Sequence, residues 1–215
     1  MNDQQFQAFV ERLAQTTAPA NAYNHYAHGN PYNDIRRANL LRYLRHMAER
    51  QPTVLLVMEA PGYRGCRLTG IPVISRKLLL EGVPALDLFG AQRGYQDVPE
   101  PEFAHIQSEQ TATIMWQTLS TLGRTPMIWS TFPFHPHTPN QPLSNRPPLK
   151  SDIQVGLPFL REMLAIFSPQ HLIAVGNVGD AALTELGRVH DKIRHPAQGG
   201  KNDFVAGITR LLAAP

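Results

Sequence analysis

The chain reads as a three-layer α/β/α sandwich with a four-stranded parallel central sheet, and three observations lead there. Short apolar runs at Val54–Met58, Met127–Thr131, His171–Val175 and, more weakly, Val189–Ile193 have strand length and β-branched or aromatic content. Stretches of helical periodicity separate them, so successive strands run the same way and helices cover both faces. The 215 residues are 42% hydrophobic and 17% charged, enough for one substantial core and few for two. A single domain over residues 1–215 is expected, with residues 1–50 packed on it as a helical extension.

The elements follow in order. The spacing of Phe6, Phe9, Val10 and Leu13 predicts a helix over Asp3–Gln15. After a loop over Thr16–Asn33, a second helix is predicted over Asp34–Glu49, with Ile35, Leu40, Leu41 and Leu44 apolar and Arg36, Arg37, Arg42 and Arg45 a solvated basic face. Val54–Met58 is a buried strand that Pro61-Gly62 stops. Arg76–Glu81 forms a short helix or turn, followed by an irregular stretch to Pro101. Ser108–Leu122 is a helix with its serine as N-cap. Phe132–Lys150, dense in proline, is too rigid and polar for either regular element. Ser151 caps a helix to Phe167 that Pro158 should kink or restart. Gly176-Asn-Val-Gly179 turns from the third strand into a helix ending at Gly187, and Asn202 caps the last helix, which runs through Leu212.

In a parallel sheet the carboxyl ends of the strands share one edge, where ligands bind. That edge receives four loops: Glu59–Ser75, Phe132–Lys150, Gly176–Gly179 and Arg194–Lys201. Glu59 leaves the first strand there, placed to hold a metal or to orient water as a general base; a turn-capping glutamate is the plain alternative. His195 leaves the final strand beside it, with Gly199-Gly200 allowing close backbone approach to a ligand. An acid and an imidazole on one sheet edge form a candidate catalytic pair. His135-Pro-His137 offers half a metal site, with Cys66 or His25 as further ligands, but a proline between the histidines and no nearby third ligand argue against one. Backbone amides at Gly176–Gly179 suit a phosphate, although a tight strand-to-helix turn explains the same glycines.

Composition narrows the classes further. Cys66 is the one cysteine, so neither an intramolecular disulfide nor an all-cysteine cluster is available. Neither metal nor cofactor is expected. The net charge of +3 and pI near 9.2 permit an anionic partner. No apolar run approaches the ~20 residues that span a bilayer, and Met1-Asn-Asp-Gln-Gln5 lacks the basic and apolar regions of a signal peptide. A cytoplasmic monomer without membrane contact is expected.

With their flanking residues, Glu59 and His195 resemble the uracil-DNA glycosylase superfamily. Glu59-Ala-Pro-Gly62 is similar to the first motif of its thermostable iron–sulfur branch, whose glutamate directs water. The spacing from Pro61 to Pro72 is instead similar to the single-strand-selective branch, which has Asn where this chain has Ala60. His195-Pro-Ala197 resembles the His-Pro-Ser/Ala motif of most branches, and Asn145-Arg-Pro-Pro148 follows the order of the iron–sulfur branch. The similarity runs from about Thr53 to the C-terminus. Each motif is short, and it is their order and spacing together that carry the resemblance. The chain departs from the pattern at three places: the cluster cysteines are absent, Ser130 stands where an Asn reads the uracil edge, and Val73 stands where a Phe stacks on the base.

The resemblance implies a uracil-DNA glycosylase-like fold and a monofunctional DNA glycosylase. Such an enzyme hydrolyses the N-glycosidic bond of uracil or another deaminated base after flipping it from single-stranded or mismatched DNA. Glu59 and His195 would be catalytic; Ala60, Gly62, Tyr63, Val73, Ser130 and Phe132 would surround the base. Phe132, Phe134 or Tyr63 would supply the stacking surface, or else serve packing alone. Gly62 leaves open the space that an aromatic residue fills in the uracil-only branch to exclude thymine's methyl, which implies a broader base range. Ser144, Asn145, Arg146 and Lys201 would contact DNA, and Gln198-Gly199-Gly200 would fill the gap left by the flipped base. Ser130 and Val73 equally suit a binder of nucleic acid or damaged bases that has lost turnover. A small-molecule hydrolase lacks its Gly-x-Ser-x-Gly elbow here.

Overall fold

Asp3–Gln15 forms helix α1, burying Phe6, Phe9, Val10 and Leu13 as their spacing predicts. The computed structural model describes residues 3–213; the Met1-Asn2 opening and residues 214–215 of the expected domain lie outside the described residues. Ala22–Tyr23 forms a two-residue strand β1, and α2 spans Pro31–Arg50. This second helix starts earlier than the periodicity suggests, because the Asn30 side chain accepts the Tyr32 amide and Pro31 supplies a preset first turn. Its basic face is not wholly solvated: Arg36 is fully buried, held by Glu100 at 2.7 Å and by Asn33 at 2.6 Å.

The central strand β2 is Val54–Met58, followed by a single helical turn, α3, at Cys66–Thr69, and by α4 at Arg76–Glu81. Three 3-10 turns punctuate the irregular stretch, at Pro84–Leu86, Ala91–Arg93 and Pro101–Phe103. Helix α5 spans Gln110–Leu122; Glu109 rather than Ser108 caps it, accepting the Thr111 and Ala112 amides at 2.8 and 2.7 Å. Strand β3 is Met127–Ser130. His135–Pro136, inside the segment expected to be irregular, forms β4 and pairs antiparallel with β1. Helix α6 is Lys150–Phe167 and continues unbroken through Pro158; Asp152, not Ser151, accepts the Leu149 amide at its start. Strand β5 (His171–Val175), helix α7 (Asn177–Glu185), strand β6 (Asp191–Ile193) and helix α8 (Lys201–Leu212) complete the chain. Asn202 therefore lies inside the first turn of α8 rather than capping it, and Val189, almost fully exposed, precedes its strand.

The four long strands pair in parallel in the order β3-β2-β5-β6. Val57 sits opposite Trp129 and Ala174, so these side chains share one face. On that face Gly179 of α7 lies against the Val57 backbone, and Phe9 of α1 meets Trp129 and Phe159 of α6 edge-on. The opposite face carries Ile193 against Gly207 of α8, and α8 packs on α5. Helices thus cover both faces of the sheet, the sandwich the strand–helix alternation predicts. Residues from α1 and α2 belong to the same apolar cluster as the strands.

Candidate functional site

Strand order places the site. From β2 the chain crosses to β3 on one side, whereas β5 and β6 lie on the other. The loops leaving β2 and β5 therefore diverge, and a crevice opens between them at the carboxyl edge. A cleft of about 860 Å³ occupies this position, and all four predicted edge loops line it. The first turn of α5 contributes Glu109 and Thr111 as well, since helices returning between parallel strands start at this edge.

Glu59 stands at the exit of β2, half-buried in the cleft wall, and burial raises its carboxyl above the ordinary value. Its carbonyl accepts the Phe132 amide at 3.1 Å, which fixes the backbone from which the side chain projects. His195 leaves β6 and leans across Gly176: a Cβ on that glycine would sit 3.3 Å from the His195 Cβ. With φ at +92° besides, the position requires glycine. Burial first, and then the Arg194 charge, hold the His195 imidazole below its ordinary value. The Ala197 amide donates to Nδ1 at 3.1 Å, so the neutral ring carries its proton on Nε2 as a hydrogen-bond donor.

The cleft brings together most of the expected base-site residues. Ala60, Gly62, Val73 and Ser130 line it with Glu59 and His195. Val73 sits at φ +54°, rare for a β-branched residue, and its carbonyl accepts the Trp116 indole N–H at 2.9 Å. Phe132 does not line the cleft: it is fully buried, edge-on to Phe134 at 5.5 Å, so its ring belongs to the core rather than to a stacking surface. Phe134 is likewise fully buried. The Tyr63 ring also lies outside the lining, with the Arg64 guanidinium 5.1 Å above it.

The residues expected to touch DNA divide in the same way. Asn145 and Gln198 line the cleft, and Asn145 accepts the Tyr63 amide at 3.0 Å. That bond fixes Oδ1 as acceptor and leaves the Nδ2 donor to the cleft. Arg146 lines it too, but its guanidinium is spent internally on Asp152 at 2.6 Å and on the carbonyls of His137 and Asn21. The Ser144 hydroxyl is occupied within its own loop by Thr138 and Gln141. Gly199, Gly200 and Lys201 stand outside the lining, and Gly200 instead forms the N-cap of α8. His135, the suggested half of a metal site, has Nδ1 at 2.9 Å from the Pro61 carbonyl and Nε2 at 3.3 Å from that of Pro142. Burial pushes its pKa down to about 4, so the neutral ring has one N–H to give, and the shorter contact, Nδ1 to the Pro61 carbonyl, joins the β3 loop to the β2 loop. Among the described residues no group of three or more His, Cys, Asp or Glu is arranged to hold a metal ion.

The sequence reading passed over Arg194, Asn177 and Glu109, all of which line the cleft. Arg194 and Asn177 adjoin motifs already marked, so their proximity was legible. Glu109 was hidden by the assignment of Ser108 as the helix cap.

No family profile matches this chain, and no curated protein matches it in sequence. Among solved structures it is similar to wild-type SMUG2 of Pedobacter heparinus, at 13% identity and a TM-score of 0.64 over 99% of this chain and 98% of that one. The likeness takes in the N-terminal helices and shows a shared fold, an α/β architecture with a four-stranded parallel sheet flanked by helices.

Proposed function

We propose that the chain is a monofunctional DNA glycosylase that removes uracil or another deaminated base by base flipping. One observation carries this reading: Glu59 and His195, far apart in sequence, meet in a single cleft at the switch point of the sheet. The fold shared with SMUG2, a member of the uracil-DNA glycosylase superfamily, supports it.

The chemistry follows from the two side chains. Cleaving an N-glycosidic bond leaves positive charge on the sugar and negative charge on the departing base. Neutral His195 donates from Nε2 to the base oxygen where negative charge grows, and a preorganised donor of this kind contributes about 3–4 kcal/mol. Glu59, ionised, orients water beneath the sugar and stabilises the cation. Ala60, Gly62 and Val73 give the base site small walls, while Ser130 offers one hydroxyl that donates or accepts. Single-stranded or mismatched DNA suits an enzyme whose Gln198 is a weak plug for the vacated stack.

Labelled single- and double-stranded oligonucleotides carrying uracil, hypoxanthine or xanthine test the proposal. Alkali-labile abasic product is expected from at least one. No product from any of them at high protein concentration would overturn it. A binder that has lost turnover is the second reading, favoured by Ser130 and Val73 at the base-reading positions. It requires salt-sensitive oligonucleotide binding that Glu59→Gln leaves unchanged, without base release.

A further inference from the structure

Three cationic side chains line the cleft, and two of them are already neutralised. Arg146 is paired with Asp152 at 2.6 Å and Lys192 with Asp180 at 2.8 Å. Arg194 is exposed and has no partner among the described residues. Its stem runs past Gly200, where a Cβ would come within 3.0 Å of the Arg194 Cγ, so the glycine makes room for it. Neither acidic side chain of the lining takes up its charge. Glu109 spends both carboxylate oxygens on the amides that open α5, and Glu59 is not paired with it. An uncommitted, exposed guanidinium at the rim of a cleft, one residue from the imidazole, suits a tetrahedral anion whose two free oxygens it can meet with paired N–H donors from the solvent side: a phosphodiester.

We infer that Arg194 holds a backbone phosphate of the substrate strand beside the target nucleotide, fixing the strand's register over His195. The inference rests on the glycosylase reading for its substrate and deepens it by naming the contact. Phosphate contacts position a nucleic acid without reading sequence, so Arg194 acts on binding and leaves base choice to the cleft floor. The Asn145 amide donor faces the same cleft from beside Gly62, two strands away from Arg194 across the sheet. A strand lying across the cleft would meet a donor on either flank.

The test is equilibrium binding of a fluorescent single-stranded oligonucleotide with an uncleavable fluorinated uridine analogue, across a salt series. Wild type, Arg194→Gln and Arg194→Lys are compared. Because Arg194 makes no contact that the fold depends on, the variants fold. Arg194→Gln is expected to bind about tenfold more weakly, the loss of one charge-assisted contact. Its plot of log affinity against log salt is expected to be shallower by about 0.7, one phosphate on a single strand. Arg194→Lys restores the slope and part of the affinity. An Arg194→Gln slope equal to that of wild type overturns the inference, as does wild-type protein that does not bind. Base release by wild type is scored separately. Release with an unchanged slope removes only the phosphate contact, whereas an Arg194-dependent slope without release removes only the glycosylase reading.

Discussion

Glu59 is held in its protonation-sensitive state by burial alone, with no cation offsetting the loss of water. Its folded pKa lies above the unfolded value, so the stability it confers is full below the unfolded pKa and is lost as pH rises through the folded one. At neutral pH the ionised side chain therefore weakens the fold that positions it. Glu59→Gln, which does not titrate, is expected to raise the melting temperature at neutral pH while abolishing base release. Thermal scans from acid to neutral pH check this: the gain should vanish on the acid side of the Glu59 titration. An equal gain at every pH would show that the carboxylate is not the cause. In the proposed glycosylase the same ionisation would set the rate. Base release should rise with pH as Glu59 ionises and His195 sheds its proton, since the step needs the carboxylate and the neutral imidazole, and burial favours the neutral ring. A rate that instead fell across that range would make the imidazolium the active form. Glu59 and His195 were both legible from motif and position, whereas the Phe132 ring was not, since a core aromatic and a stacking aromatic leave the same mark on a strand-end sequence.

At the scale of elements, the cleft depends on how closely α7 and the β6 loop approach each other. Gly176 starts α7 at φ +92° with His195 packed over it. Gly176→Ala combines about 1–3 kcal/mol of strain, from an extended positive-φ backbone that suits glycine alone, with a methyl group pushed toward the His195 Cβ. Stability should fall by about that amount and base release by more than tenfold, since a small misplacement of a catalytic group is costly in rate. Urea unfolding and single-turnover rates measure the two effects. Unchanged rates in a folded variant would show that His195 is not positioned by this contact. Strands and amphipathic helices were readable because period and length encode them. The helix starts were less so: Glu109 and Asp152 take the amides expected of the serines beside them, because neighbouring polar residues compete for the same donors, and Asn30 with Pro31 opens α2 ahead of Asp34. The β1–β4 pair was invisible, two residues on each side carrying no periodic signal.

Across the whole molecule, the N-terminal fifty residues buttress the cleft rather than stand apart from it. Arg36 on α2 and Arg67 on α3 converge on Glu100, at 2.7 and 3.0 Å, with all three nearly or wholly buried. Tyr26 donates to the Gly70 carbonyl at 2.9 Å, and Gly70 itself abuts the Arg36 backbone. These contacts anchor α3, the far end of the loop that begins at Glu59 and supplies Gly62, Gly65 and Cys66 to the cleft. Composition gave no warning, because an arginine on a basic helix face reads as solvated until its partner, Glu100, is brought beside it by the fold. Removing that partner leaves two guanidiniums in the interior, with Arg67 lying over the rings of Tyr23 and Phe103 and Arg36 retaining Asn33 and the Leu68 carbonyl. Glu100→Ala is therefore expected to lose about 3–5 kcal/mol, a large share of the stability of a domain this size. Asp3→Asn, which removes the exposed partner of Arg45, is expected to change nothing measurable. Denaturant midpoints of the two variants decide the matter. Oligonucleotide binding should weaken in Glu100→Ala below its unfolding transition, because α3 loosens before the sheet does. Equal midpoints for the two variants would mean that the buried charges do not tie the N-terminal helices to the cleft.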